Sequence, residues 1–427
     1  MNNNKITFKI IIIMKKLFLV MVLALAVVAT GFAQKANVNK AKNKALAVEN
    51  PDFQGAKDDI EAALVNDETK DLANTWYVAG LVYEKAADAE FILTQTGSGN
   101  TIKMGEDALK AYKYYLKANE LDQLPDAKGK VKPKFTKKIA ASMLNIYNKY
   151  ILVNYGVEKY SAQEWAEALN AFETHTAILD LPMLATEKNV PTKDTTYYQF
   201  KYYAATCAWA GEMNDKAIAM FEEIKDKEYN ENGIYQALCQ LYLDTKDTVN
   251  YISTLEKGLA KFPNEFYYLG NLINHYVFGG QPQKATELLD KAIANDPTNA
   301  QLYSVRGSML EVLEDIDAAM ANFDKAIELK PDFKEAWLGK ARLIYNKAFK
   351  MEQKALEIKD FKLSDQEVAK ALEVYKESIP FFEKVIELDS EDYETMKTLR
   401  GLFYKLTNSD PSYQAKYDEI NKKMLGY

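Results

Sequence analysis

Two histidines, two cysteines, one glycine cluster and a scatter of carboxylates are the residues with the chemistry to make a site. His175 and His275 stand 100 residues apart. A zinc site needs four N, S or O ligands converging on one point, and no Cys or further His accompanies either ring. Each reads as a packing or surface residue. The run Gly97-Ser98-Gly99-Asn100 lacks the Gly-Lys-Ser/Thr ending of a phosphate-binding loop and follows no strand pattern. It reads as a turn between two long helices. General acid–base work needs paired carboxylates at one place, and the candidates Asp244, Glu311 and Glu335 are dispersed. The sequence therefore implies no catalytic group, no metal and no cofactor, and it points away from an enzyme.

The elements that carry these residues are bounded by composition. The chain has 427 residues, 48% of them hydrophobic and 27% charged. Such a chain is neither wholly disordered nor a polytopic membrane protein. Its 54 basic and 61 acidic residues give a net charge of −7. That weighs against a general nucleic-acid binder, which needs a basic face to displace counterions from phosphate. Tyr is abundant, 28 beside 19 Phe and 4 Trp. At that level it suits helix packing with the hydroxyl reaching water, or a surface that grips ligands.

The N-terminus has the form of an export signal. Met14-Lys15-Lys16 precede thirteen apolar residues at 17–29, and the small residues Gly31 and Ala33 follow. A charged start, a short apolar run and small residues are the parts of a cleaved signal. A membrane span needs about 20 apolar residues. Cleavage is expected after Ala33, whether translation starts at Met1 or Met14. Removing residues 1–33 takes away four lysines and no acid. It leaves 394 residues, 50 basic against 61 acidic, and a net charge of −11. The expected location is the bacterial periplasm or envelope, or outside the cell, with no transmembrane segment in the mature chain.

Beyond the signal the chain repeats. Four consecutive windows of 34 residues begin at Tyr198, Asn232, Phe266 and Ala300. Their twentieth places hold Ala217, Tyr251, Ala285 and Ala319, and their twenty-fourth Phe221, Leu255, Leu289 and Phe323. Their twenty-seventh hold Ile224, Gly258, Ala292 and Ala326, and their thirty-second Tyr229, Pro263, Pro297 and Pro331. The fourth place is Tyr235, Leu269 and Tyr303 in three windows and Lys201 in the first. Small residues such as Gly307, Ala319 and Ala326 let two helices approach, and Tyr303, Leu310 and Phe323 fill the space between them. A proline after the second helix stops it, because it has no N–H to donate. This pattern resembles the tetratricopeptide repeat, a helix–turn–helix unit. The resemblance implies an all-α, right-handed superhelical solenoid, in which stacked units bury faces that one unit alone leaves bare.

Irregular units flank the block. Trp76 to Tyr83 is similar to a first helix, with Ala111, Tyr115 and Ala118 marking its lengthened partner. Trp165, Ala168 and Phe172 mark another second helix, preceded by a long helix expected over about 137–155. The expected divisions are 34–122 (N-terminal repeat-like helices), 123–136 (loop), 137–197 (irregular pair and loop), 198–333 (four regular units), 334–392 (an elongated unit) and 393–427 (capping helices). One continuous superhelix is expected, with flexing at the Pro-containing segments 122–134 and 181–196.

Cys207 and Cys239 occupy the tenth and eighth places of adjacent first helices, about 200° apart around a helix. They read as two small buried residues and not as a disulfide.

In the repeat family the second, fifth, ninth, twelfth and thirteenth places of each unit face an inner groove. Carried onto this sequence, they hold Gln199, Tyr202, Thr206, Trp209 and Ala210, then Gly233, Gln236, Gln240, Leu243 and Asp244. Next come Tyr267, Gly270, Asn274, Val277 and Phe278, then Gln301, Ser304, Ser308, Glu311 and Val312. The fifth unit adds Glu335, Leu338, Arg342, Tyr345 and Asn346. The set is rich in rings and amides and poor in charge. Only Asn274 and Arg342 are similar to the residues with which some family members clamp a terminal carboxylate. The expected peptide-binding residues are Tyr202, Trp209, Gln236, Gln240, Tyr267, Asn274, Phe278, Arg342 and Tyr345. The expected function is an exported scaffold that binds a protein or peptide partner, without catalysis and without nucleic acid. The alternatives are an envelope protein that captures glycan or nutrient, and a helical-toroid enzyme.

Overall fold

A computed structural model describes residues 36–425. The export signal expected at 1–33 lies outside the described residues. Within them the chain is helical throughout, with no strand, and no helix is long and apolar enough to cross a membrane. It is an all-α solenoid of antiparallel helix pairs, divided into two compact units between Thr254 and Leu255.

The N-terminal unit holds α1 (36–45), α2 (Phe53–Leu64), α3 (Ala73–Gln95), α4 (Thr101–Asp122), α5 (Thr136–Asn148) and α6 (Ile151–Ser161). It continues through α7 (Trp165–Ile178), α8 (Thr195–Ala210), α9 (Asn214–Ile224) and α10 (Glu231–Asp244). Helix α11 (Thr248–Lys261) carries the division. The C-terminal unit holds α12 (Phe266–Phe278), α13 (Pro282–Asn295), α14 (Ala300–Val312) and α15 (Ile316–Leu329). It ends with α16 (Lys334–Leu356), α17 (Phe361–Leu388), α18 (Tyr393–Thr407) and α19 (Tyr413–Met424).

Local chemistry sets the starts of these helices. Asp52, Asn100, Asp194, Asn299, Asp315, Asp360 and Asp392 each accept from a main-chain N–H of the first turn. Such caps satisfy donors that the helix itself leaves unpaired. The turn Gly97 to Asn100 joins α3 to α4, with Gly97 at φ +77.

Packing follows the 34-residue register. Ala217, Phe221, Leu255, Ala285, Leu289, Ala319 and Phe323, all at twentieth or twenty-fourth places, are fully buried. A side-chain carbon on Gly80 would stand 2.5 Å from the Tyr115 ring, and one on Gly339 would overlap Phe323. These approaches seat the large ring of a second helix against a first helix.

One expectation is corrected. The single helix over 137–155 is broken: α5 stops at Asn148 and α6 starts at Ile151. Tyr150 between them is left-handed at φ +53. The break turns the Tyr147 and Tyr150 rings onto His175, with centroids 4.2 and 5.7 Å away. The division between the two compact units falls inside the second regular window. Both Pro-containing loops are tied down. The Asp122 carboxylate accepts from the main-chain N–H groups of Lys134, Phe135 and Thr136, and Asp180 pairs with Lys193 and accepts from the Tyr197 hydroxyl.

Candidate functional site

In the C-terminal unit the first helices α12, α14 and α16 enclose a cavity of about 550 Å³. Gly270 and Asn274 come from α12, Gln301, Ser304 and Ser308 from α14, and Glu335, Leu338 and Arg342 from α16. These are second, fifth and ninth places. Residues three and four apart share one helix face, so successive first helices set their amides and hydroxyls side by side. Phe266, Ile273, Val305 and Phe333 supply the apolar part of the wall.

Arg342 is already engaged. Its Nε donates to Glu311 at 3.1 and 3.2 Å and its Nη2 at 2.6 Å, while Asn346 Nδ2 donates to the same carboxylate at 3.1 Å. A bidentate pair of this kind holds the guanidinium plane and neutralises it. The cavity thus offers hydrogen-bonding groups and apolar wall more than charge.

The remaining ring residues are distributed differently. Tyr345 meets Tyr375 edge-on at 5.1 Å and Phe382 at 6.1 Å, and it packs against the core of the unit instead of the cavity. Tyr267 packs edge-on against Tyr268 at 5.3 Å, and Phe278, 86% exposed, ends α12. Neither is a wall of the cavity.

The N-terminal unit has its own pocket, about 330 Å³, lined by Val157, Tyr160, Phe172, Tyr202, Tyr203 and Thr206. Tyr202 and Thr206 stand at the fifth and ninth places. Tyr202 also packs edge-on against Phe221 at 5.8 Å and Tyr229 at 5.6 Å, and Trp209 meets Phe221 at 6.3 Å. Gln236 donates to Asn232 at 3.4 Å and Gln240 to Asp244 at 2.7 Å, each pair four residues apart. Tyr160, Phe172 and Tyr203 were absent from the sequence-derived set. The Tyr202-Tyr203 pair beside the irregular Lys201 was the available signal, because it puts a ring on each side of the expected inner face.

Cys207, Cys239 and His175 are buried, and His275 is half-buried. Burial pushes the thiols of Cys207 and Cys239 up to about 12, so neither is a thiolate at neutral pH, and both are free. His175 is fully buried in its aromatic stack, with neither ring nitrogen hydrogen-bonded. Among the described residues no group of three or more His, Cys, Asp or Glu is placed to hold a metal ion.

The tetratricopeptide-repeat family model matches residues 300–333, which are the fourth regular window. Residues 300–333 thus carry the signature of the tetratricopeptide repeat. The chain is 27% identical over 190 residues to the human mitochondrial import receptor subunit TOM70, covering 40% of this chain and 30% of the receptor. It is 39% identical over 61 residues to the STIP1 homolog of Dictyostelium discoideum, covering 14% of this chain and 11% of that protein. The chain therefore spans less than a third of either relative. A solved structure of the C-terminal part of a repeat-containing protein from Cytophaga hutchinsonii aligns with a TM-score of 0.38 at 17% identity, over 64% of this chain and 93% of that one.

Proposed function

We propose that this protein is an exported, non-catalytic scaffold that holds a protein or peptide partner against the faces made by its first helices. The observation that carries the reading is the cavity across α12, α14 and α16. Asn274, Gln301, Ser304 and Ser308 present donors and acceptors to it, and its one cation is held by Glu311. Such a wall suits the main chain of a bound polypeptide, which needs donors and acceptors in series. TOM70 is by its name a receptor subunit, in keeping with a partner-binding role. Exposed Phe278 and half-buried Tyr267 flank the site on the same helix, and large aromatic rings are frequent anchors.

The test has two stages. Mature protein, residues 34–427, is used to recover a partner from envelope extract. Ser308→Arg then places a long cation in the cavity. Binding should weaken at least tenfold, about 1.4 kcal/mol, with the thermal midpoint unchanged. Unchanged affinity would remove the cavity from the interface.

Capture of a glycan is the second reading, and the ring-lined pocket of the N-terminal unit favours it. Sugar rings stack on aromatic faces, and Tyr160, Tyr202 and Tyr203 provide them beside the Thr206 hydroxyl. Under this reading Tyr202→Ala abolishes binding to an oligosaccharide array, and Ser308→Arg leaves it intact.

A further inference from the structure

A second cavity of the C-terminal unit, about 850 Å³, lies where α11 and α13 end and α12 and α14 begin. It shares only Phe266 and Gln301 with the cavity described above. Its origin is visible in the other repeats. At the fourth place of three first helices stands a ring with a hydrogen-bond donor. Trp76 Nε1 donates to the Lys70 carbonyl at 2.6 Å, Tyr303 Oη to the Pro297 carbonyl at 3.2 Å, and Trp337 Nε1 to the Pro331 carbonyl at 2.8 Å. The acceptor is six residues earlier each time. Helical side chains lean towards the N-terminus, so a ring at this place folds back over the loop before its own helix and reaches that carbonyl. Tyr235 varies the arrangement, donating to the Asp226 carboxylate at 3.1 Å.

Helix α12 lacks that ring, as does α8, whose fourth place is Lys201. The fourth place of α12 is Leu269, which has no donor and no ring, and the residue six positions earlier is Pro263. Both line the cavity. The opposite wall records the same gap. Ala118 and Ala326, at the twenty-seventh places of the units opened by Trp76 and Tyr303, are fully buried, and those two rings pack against the core clusters that contain them. Ala292, at the twenty-seventh place of the Leu269 unit, is half-buried and lines the cavity.

We infer that this cavity is a binding site for an indole or phenol ring, which takes the place of the missing fourth-place ring and donates its N–H or O–H to the Pro263 carbonyl. Leu259, Leu288 and Leu302 form the apolar seat for its faces, and Asn264, Asn295 and Asn299 meet whatever carries it. The volume lies in the range of small-ligand sites. A tryptophan or tyrosine side chain of a polypeptide and a free aromatic molecule share this chemistry.

The test titrates mature full-length protein with indole, with 1-methylindole and with the tripeptide Ala-Trp-Ala, reading calorimetry and the methyl shifts of Leu288 and Ala292. Indole should perturb those methyls. 1-Methylindole has the same faces without the donor and should bind at least about fivefold more weakly, the worth of one hydrogen bond. Tighter binding of the tripeptide assigns the ring to a polypeptide, and tighter binding of indole assigns it to a free ligand. Leu269→Trp should fill the site from within, raise the thermal midpoint and weaken indole at least tenfold. Ala292→Leu, which narrows the cavity from the other wall and leaves Leu269 in place, should also weaken it. Equal affinity for indole and 1-methylindole, or undiminished indole binding by a folded Leu269→Trp or Ala292→Leu protein, overturns the inference. Partner binding in the first-helix cavity is read separately, so either result leaves that reading to its own test.

Discussion

At His175, burial among Tyr147, Tyr150 and Phe200 holds the imidazole down to about 3 from an ordinary 6.5, because the charged form has lost its water. The folded ring therefore stays neutral while the unfolded one protonates first as pH falls. Its contribution to stability is present above pH 6.5 and is lost as pH drops towards 3, at up to about 1.4 kcal/mol per pH unit. Urea midpoints measured from pH 7 to pH 4 should fall in the native protein, and His175→Phe should flatten that fall. The two curves running parallel would show that the ring does not carry the effect. That this histidine is a packing residue was readable from its isolation in the sequence. Its stack was not, since it depends on the left-handed turn at Tyr150, which no glycine or proline signals.

Individual helix pairs test the register. Ala319 is fully buried between the helices of its pair, while Lys325 lies at the surface with its ammonium 2.8 Å from Glu328. Replacing Ala319 by Leu forces extra carbons into a closed space and should cost roughly 1–3 kcal/mol. The same change at Lys325 should cost under about 0.5 kcal/mol. Denaturant midpoints of the two variants decide it, and equal shifts would refute the 34-residue alignment. The pairs were legible because their determinants are local. A small residue at the twentieth place of three windows, a large one at the twenty-fourth and a proline or ring at the thirty-second all act within one unit. The elongated pairs α3 with α4 and α16 with α17 were legible as insertions for the same reason: the signature places survived at both ends of the added residues.

For the whole chain, export is a proposal with a direct readout. Protein recovered from the envelope should begin at or near Gln34, as N-terminal sequencing would show, and recovery of residues 14–33 on the mature protein would mean a retained anchor. The repeat, its 34-residue register and the direction in which each first-helix residue points were determined by the sequence itself. A period of 3.6 residues fixes side-chain direction around a helix axis without reference to any other helix. What those residues meet was decided by tertiary structure alone. Arg342 and Glu311 both point to the inner face, yet only the spacing of α14 and α16 makes them a bidentate pair. Tyr345 has an inner-face position too, but the elongated α17 draws its ring onto Tyr375 and Phe382. The gap beside Leu269 likewise exists only because Pro263 and Ala292 come from other elements and nothing in α12 spans them. Periodicity states where a side chain is aimed, whereas its neighbour, its burial and its free hydrogen-bonding capacity are set by residues distant in the chain.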